Sequence, residues 1–162
     1  MCKNAERWVF QLPADFTWES GLAGADDLGF YDKTGTLRLI VRKSGTVTVR
    51  ASYAWDGCSP KVCIFDIVFG TPDGVVDSTT KRPKTYYASL VHDAMYQFLL
   101  DGLPFKRPQV DGCFRRLMTE TGYGPRWIYW AAVRLLGWAF VGVHRFKRKN
   151  RGRVEVLRSV PQ

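Results

Sequence analysis

The sequence predicts an α+β domain: a small antiparallel sheet, formed by strands early in the chain, packed on a layer of three helices. Three observations carry this expectation. Thr36–Val41 and Thr46–Tyr53 are rich in β-branched residues and are joined by the turn-forming Lys43-Ser44-Gly45. Tyr86 to Leu100 contains no Gly or Pro and spaces Tyr87, Leu90, Val91, Ala94, Met95 and Phe98 by three and four residues. The remainder of the chain is punctuated by Pro and Gly at helix-starting and helix-ending positions. At 162 residues and 18.5 kDa there is enough chain for one core and not for two. The expected division is one domain over residues 1–146, followed by a basic tail over 147–162 that can add a strand.

Taken in order, Arg7 to Leu12 is a short bulky segment stopped by Pro13, and Gly29–Tyr31 leads into the turn Asp32-Lys33-Thr34-Gly35. In the second arm of the hairpin, Val47, Val49 and Ala51 alternate with Thr48, Arg50 and Ser52, a period of two that buries one face. Residues 54–84 are expected to be irregular, with Cys63 to Phe69 a single apolar run among Gly57, Pro60, Gly70, Pro72, Gly74 and Pro83. The first helix is expected over Tyr86–Leu100, closed by Asp101-Gly102. The second runs from Pro108 to Thr121, with Pro in the first turn and Gly122 beyond the end. Pro125 opens the third, which is expected to reach about Arg145, and Val154–Val160 supplies a final strand.

The third helix holds Trp127 to Val143, almost all apolar, with Arg134 in its middle. A membrane span needs about 20 such residues, and a central arginine costs roughly 2.5–3.5 kcal/mol. A helix buried in the protein core, with Arg134 turned to an acidic partner, is the preferred reading; a helix lying in a membrane interface is the alternative.

The net charge is +9, and it is unevenly placed. Residues 1–105 hold 11 basic and 12 acidic side chains, whereas residues 106–162 hold 13 basic and 3 acidic. The density peaks in Arg145, Lys147, Arg148, Lys149, Arg151 and Arg153, a candidate anion-binding set. It suits nucleic acid, a nucleotide or an anionic membrane surface, and equally a solvated tail. Hydrophobic residues at 46% and aromatics at 14% exclude a largely disordered chain. Cys2, Cys58, Cys63 and Cys113 form no CxxC pair and are read as reduced thiols. No secretory leader is read at the start, so a cytosolic setting is expected.

Three segments carry functional groups in unusual company. Trp55-Asp56-Gly57-Cys58-Ser59-Pro60 sets a carboxylate in a turn after a strand. His92 and Asp93 interrupt an apolar helix, with Ser89, Asp93 and Tyr96 on one side and His92 on its flank. Asp111 is expected in the first turn of the next helix, where the unpaired backbone donors favour a carboxylate. The short Gly102–Arg107 connection makes the two helices antiparallel neighbours, so Asp93 and Asp111 can approach. Their charge needs a cation. One candidate is a divalent metal (Mg, Mn or Zn) on His92, Asp93 and Asp111, acidifying a bound water. The other is Arg107 or Arg134, locking the helices together with His92 and Tyr96 as satisfied partners.

Other chemistries find less. Thr71-Pro72-Asp73-Gly74 lacks a phosphate-cradling pattern. Cys58 and Ser59 have no adjacent base. With His92 and His144 the only histidines, any multi-histidine centre is excluded.

These segments resemble a family of tailed phages and prophages, the domain of unknown function thirteen fifty-three. The likeness lies in Asp56-Gly57-Cys58-Ser59-Pro60, His92-Asp93-Ala94-Met95-Tyr96, Arg107 with Asp111-Gly112-Cys113-Phe114, and Tyr129 with Arg134 and Gly137. It covers roughly residues 47–140, and the first box departs by reaching its proline one residue sooner. The resemblance implies a phage accessory protein, in the infected host's cytoplasm or on the virion, and assigns no activity.

Four functions are therefore expected to compete. The first is a metal-dependent hydrolase of a phosphate-bearing substrate, with Asp56, His92, Asp93 and Asp111 catalytic and Arg107, Arg134 and Tyr96 as charge partners. The second is a non-catalytic virion or assembly protein in contact with other phage structural proteins. The third is a nucleic-acid- or nucleotide-binding anti-defence protein, and the fourth a membrane-associated lysis accessory.

Overall fold

A computed structural model describes residues 10–55, 57, 62–64, 67–69, 76–135 and 153–157, with only the backbone of 62–64 and 67–69. The β-branched hairpin forms as expected. Strands β1 (Phe10–Gln11), β2 (Phe16–Glu19), β3 (Leu28–Tyr31), β4 (Leu37–Val41) and β5 (Thr46–Val49) precede β6 (Ala54–Trp55). Next come β7 (Val62–Ile64), β8 (Ile67–Phe69), α1 (Tyr86–Gln97) and α2 (Arg107–Glu120). Residues 126–135 are helical (α3), and β9 (Arg153–Val156) closes the described chain. The fold is α+β, with an antiparallel five-stranded sheet in the order β2-β5-β4-β3-β9 and two smaller pairings, β1-β6 and β7-β8.

The period-two pattern places one face of the hairpin in the core. The alternate residues Ile40 and Thr48 are buried as well, so the opposite face is covered too, and not one face alone as expected. Val47 and Val49 are fully buried, and Leu39, Val41 and Phe30 join them on the same core. Phe30 meets Phe98 near the end of α1 at 5.4 Å between ring centroids, which fastens sheet to helix. Gly45 takes φ +96° in the β4–β5 turn, a left-handed conformation that L side chains avoid, and an added Cβ would lie 3.1 Å from the Leu22 nitrogen.

Several expectations are corrected. β2 is additional to the expected strands: it is a four-residue strand inside the short stretch between Pro13 and Gly21. Its alternation of Phe16 and Trp18 with Thr17 and Glu19 is the signal, and it pairs along β5 with Phe16 opposite Val49. The single apolar run Cys63–Phe69 is instead the β7–β8 pair, with Val62 opposite Phe69. Helix α1 stops at Gln97 rather than Leu100, since Leu99 N–H donates to Tyr96 O and Asp101 N–H to Phe98 O in tighter turns. Helix α2 ends in a Schellman arrangement: Gly122 (φ +63°) donates to Thr119 O and Tyr123 to Met118 O.

The third helix also differs from the expected core helix. Tyr129 is buried and Val133 packs on the core, but Trp127, Ile128 and Leu135 are 54%, 70% and 69% exposed. Its continuation toward Arg145 lies outside the described residues. Among the described residues, no helix is long and apolar enough to cross a membrane. The final strand forms inside the nominal tail, where β9 pairs antiparallel with β3, Leu28 opposite Val156 and Tyr31 opposite Arg153.

Candidate functional site

Helices α1 and α2 lie side by side, and their facing sides meet at Asp111, which is 0% exposed. Helix α2 begins at Arg107, with the Gln109 side chain accepting the Lys106 N–H at 2.8 Å, so Asp111 stands in the second turn and not the first. The helix-end argument therefore does not apply to it, and its charge is met by side chains.

Those side chains arrive from three helices. Oδ1 of Asp111 accepts the Tyr96 hydroxyl at 2.5 Å and faces His92 Nε2 at 3.3 Å, both from α1. Oδ2 accepts from Arg134 of α3 at 3.2 Å and lies 3.6 Å from Arg107 Nε of its own helix. Arg107 Nε also donates to the Tyr96 oxygen at 3.0 Å. The Arg107 guanidinium donates further to the Val133 carbonyl at 3.0 Å and to the Arg134 carbonyl. Arg107 is thus committed to α3 backbone and to Asp111, as the helix-locking alternative weighed from sequence expects.

The imidazole of His92 is the second junction. Its ring packs at a tilt against Tyr96, one turn along, at 4.1 Å between centroids, and against Phe114 at 4.9 Å. Phe114 is a contributor that the residue-by-residue reading did not single out; its spacing of three from Asp111 was the available signal. An ionised Asp111 only accepts, so Nε2 carries a hydrogen toward it. The opposite nitrogen, Nδ1, lies 3.6 Å from Asp93 Oδ1, whose side chain is 36% exposed. His92 and Tyr96 are thus the inner pair and Asp93 the rim, so His92 and Asp93 exchange their expected places while Tyr96 keeps its own. Ser89, expected beside them, turns to Trp55 and accepts its indole N–H at 3.1 Å.

The electrostatics follow from this placement. Burial pushes the His92 pKa down, but the hydrogen bonds that Asp111 and Asp93 accept from it, with their charge, outweigh burial and hold the imidazole above its ordinary value. Burial pushes Asp111 up, and His92, Tyr96 and Arg134 together bring it below the ordinary carboxylate value. Burial and the Asp111 carboxylate keep the Tyr96 phenol protonated well above its usual range.

The expected metal set does not assemble. The two carboxylates meet opposite nitrogens of one ring, and the Asp111 oxygens are occupied by donors. Among the described residues no group of three or more His, Cys, Asp or Glu side chains is gathered to hold an ion. Of the two cations weighed from sequence, the guanidiniums of Arg107 and Arg134 lie beside Asp111. Asp56 lies outside the described residues; its neighbours Trp55 and Gly57 are buried. Arg145, Lys147, Arg148, Lys149 and Arg151 also lie outside them. Arg153 is described, and it pairs with Glu155 and lies over the Tyr31 ring at 5.6 Å.

The His92–Tyr96–Asp111 junction, Arg107 and Arg134 occupy the positions whose spacing suggested a family likeness. Neither a curated protein nor a solved structure matches the chain. The profile of a family described as Protein of unknown function (DUF1353) matches residues 37–133, which takes in the hairpin, α1, α2 and the start of α3. A match over more than half of the sequence, which takes in His92, Tyr96, Arg107 and Asp111 and ends one residue before Arg134, makes this chain a member of the DUF1353 family.

Proposed function

We propose that the protein is a phage or prophage accessory hydrolase whose general base is His92, acting on a phosphate-bearing ester. The observation that carries this reading is the asymmetry of the imidazole. Nε2 is fixed by a buried carboxylate, while Nδ1 faces the partly exposed rim at Asp93. That is the arrangement a general base needs: one nitrogen held in a set tautomer, the other turned toward the reacting proton. In the cycle, Nδ1 takes a proton from water, the resulting hydroxide attacks the ester, and the imidazolium returns the proton to the departing oxygen. Asp111 orients the ring and stabilises its protonated form. Arg134, with 37% of its side chain exposed, adds positive potential beside the ring. The basic last third draws in the phosphate.

The test is hydrolysis of bis(p-nitrophenyl) phosphate and p-nitrophenyl butyrate across pH, with His92→Gln as control. Turnover should rise with pH through the folded-state pKa of His92, which lies above the ordinary value of about 6.5, and this limb should vanish in His92→Gln. No turnover of either ester, or turnover that His92→Gln leaves unchanged, rejects the reading. A second reading, a non-catalytic assembly protein in which the junction only ties helices, is favoured by the complete engagement of Asp111. It expects His92→Gln and Asp111→Asn to change stability and nothing else.

A further inference from the structure

Helix α3 has one face committed to the domain and one left open. Tyr129, Val133 and Arg134 turn inward, to the core and to Asp111. Ile128 and Leu135, seven residues apart and so on one stripe, are exposed beside Trp127. The Trp127 and Trp130 rings meet edge-on at 5.8 Å, and the Arg115 guanidinium lies over both, at 4.4 and 5.3 Å from their centroids. Large aliphatic and indole groups thus stand in water next to a cation. Along the sequence the charge has one sign here: from Thr121 to Val154 there are eight Lys and Arg and no Asp or Glu.

From these features we infer that the Trp127–Ile128–Leu135 face of α3 docks on an anionic lipid bilayer surface. Exposed Ile and Leu gain by leaving water for the acyl boundary, indoles settle at headgroup depth, and Arg115 beside them, in a chain whose last third is strongly basic, is attracted to acidic headgroups. A nucleic acid would satisfy the cations and leave the aliphatic stripe in water. A second copy of the chain would bring the same positive charge against itself. The docking is independent of the hydrolase reading, because it concerns a different face of the molecule and is measured without turnover.

The experiment is flotation of the full chain with vesicles of phosphatidylglycerol and phosphatidylcholine, against pure phosphatidylcholine. The wild type is expected to float with the anionic vesicles and to be released by added salt. The double variant Ile128→Ser, Leu135→Ser, changed only at exposed positions, is expected to bind at least tenfold more weakly. An unaltered thermal melt would show that it remains folded. Failure to float with anionic vesicles overturns the inference, as does flotation that the double variant retains in full. Sedimentation without lipid supplies a further arm: a wild-type dimer that the double variant dissolves would assign the face to self-association and overturn the lipid proposal.

Discussion

Asp111→Asn is the substitution that asks most of the junction. It keeps the shape and removes the charge on which two arginines and a histidine depend. The amide oxygen can still accept from Tyr96 or His92, but the amide nitrogen is then a donor facing the guanidiniums, which lie at 3.2 Å (Arg134) and 3.6 Å (Arg107) from Oδ2. Removing one partner of a buried ion pair typically costs about 3–5 kcal/mol. Because Arg134 is 37% exposed and water can take up part of its charge, the lower end, about 3 kcal/mol, is expected. In a domain of this size that is a loss of roughly 6–12 °C in Tm. Urea unfolding followed by tryptophan fluorescence measures it, provided the slope with denaturant is unchanged.

The pH dependence supplies a second readout. Asp111 has a lowered folded pKa, so its contribution is present above the ordinary carboxylate value of about 3.8 and fades as pH falls through the folded value. His92 has a raised one, so its contribution is complete below about 6.5 and fades as pH rises through the folded value. Asp111→Asn should flatten both flanks attributable to the junction. A penalty below about 1 kcal/mol, of the order of an exposed pair, would refute the reasoning.

Three further outcomes are expected. Gly45→Ala forces a side chain into φ +96° against the Leu22 backbone and should cost about 1–2 kcal/mol, read as a lower urea midpoint. Phe98→Ala empties a fully buried site that clasps Phe30 and should cost about 3–5 kcal/mol in the same assay. Cys113 is buried, and burial pushes its thiol up to about 11, so iodoacetamide at pH 8 should leave it unmodified in the native protein and alkylate it in urea. Peptide mapping by mass spectrometry distinguishes the two states.

The elements legible in the sequence were those with a strong local period. The β4–β5 hairpin has β-branched alternation and a glycine turn. Helices α1 and α2 have apolar spacing and terminal glycines. Strand β2 is harder because half of its evidence is the partner: Trp18 is held by an indole hydrogen bond to Glu120, 102 residues away in sequence. The site was legible as a set of residues and less so as a geometry. Spacing brings His92 and Tyr96 onto one helix, and a short connection makes Asp111 their neighbour. Whether a metal or a guanidinium neutralises Asp111 depends on Arg134, 23 residues further on, and on where α3 crosses. Helical periodicity also gave no reason to expect the exposed face of α3, since a run that is apolar all round looks the same whether or not something covers it.

Strand β9 closes more than the sheet. Residues 136–152, which contain Arg145, Lys147, Arg148, Lys149 and Arg151, run between the described end of α3 at 135 and the first residue of β9 at 153. In sequence, β9 thus follows that cationic stretch as an outer strand of the sheet, held to the rest of it by four residues opposite β3. Loss of β9 would uncover one edge of β3, so retention of the strand and amide exchange at Leu28–Tyr31 should change together.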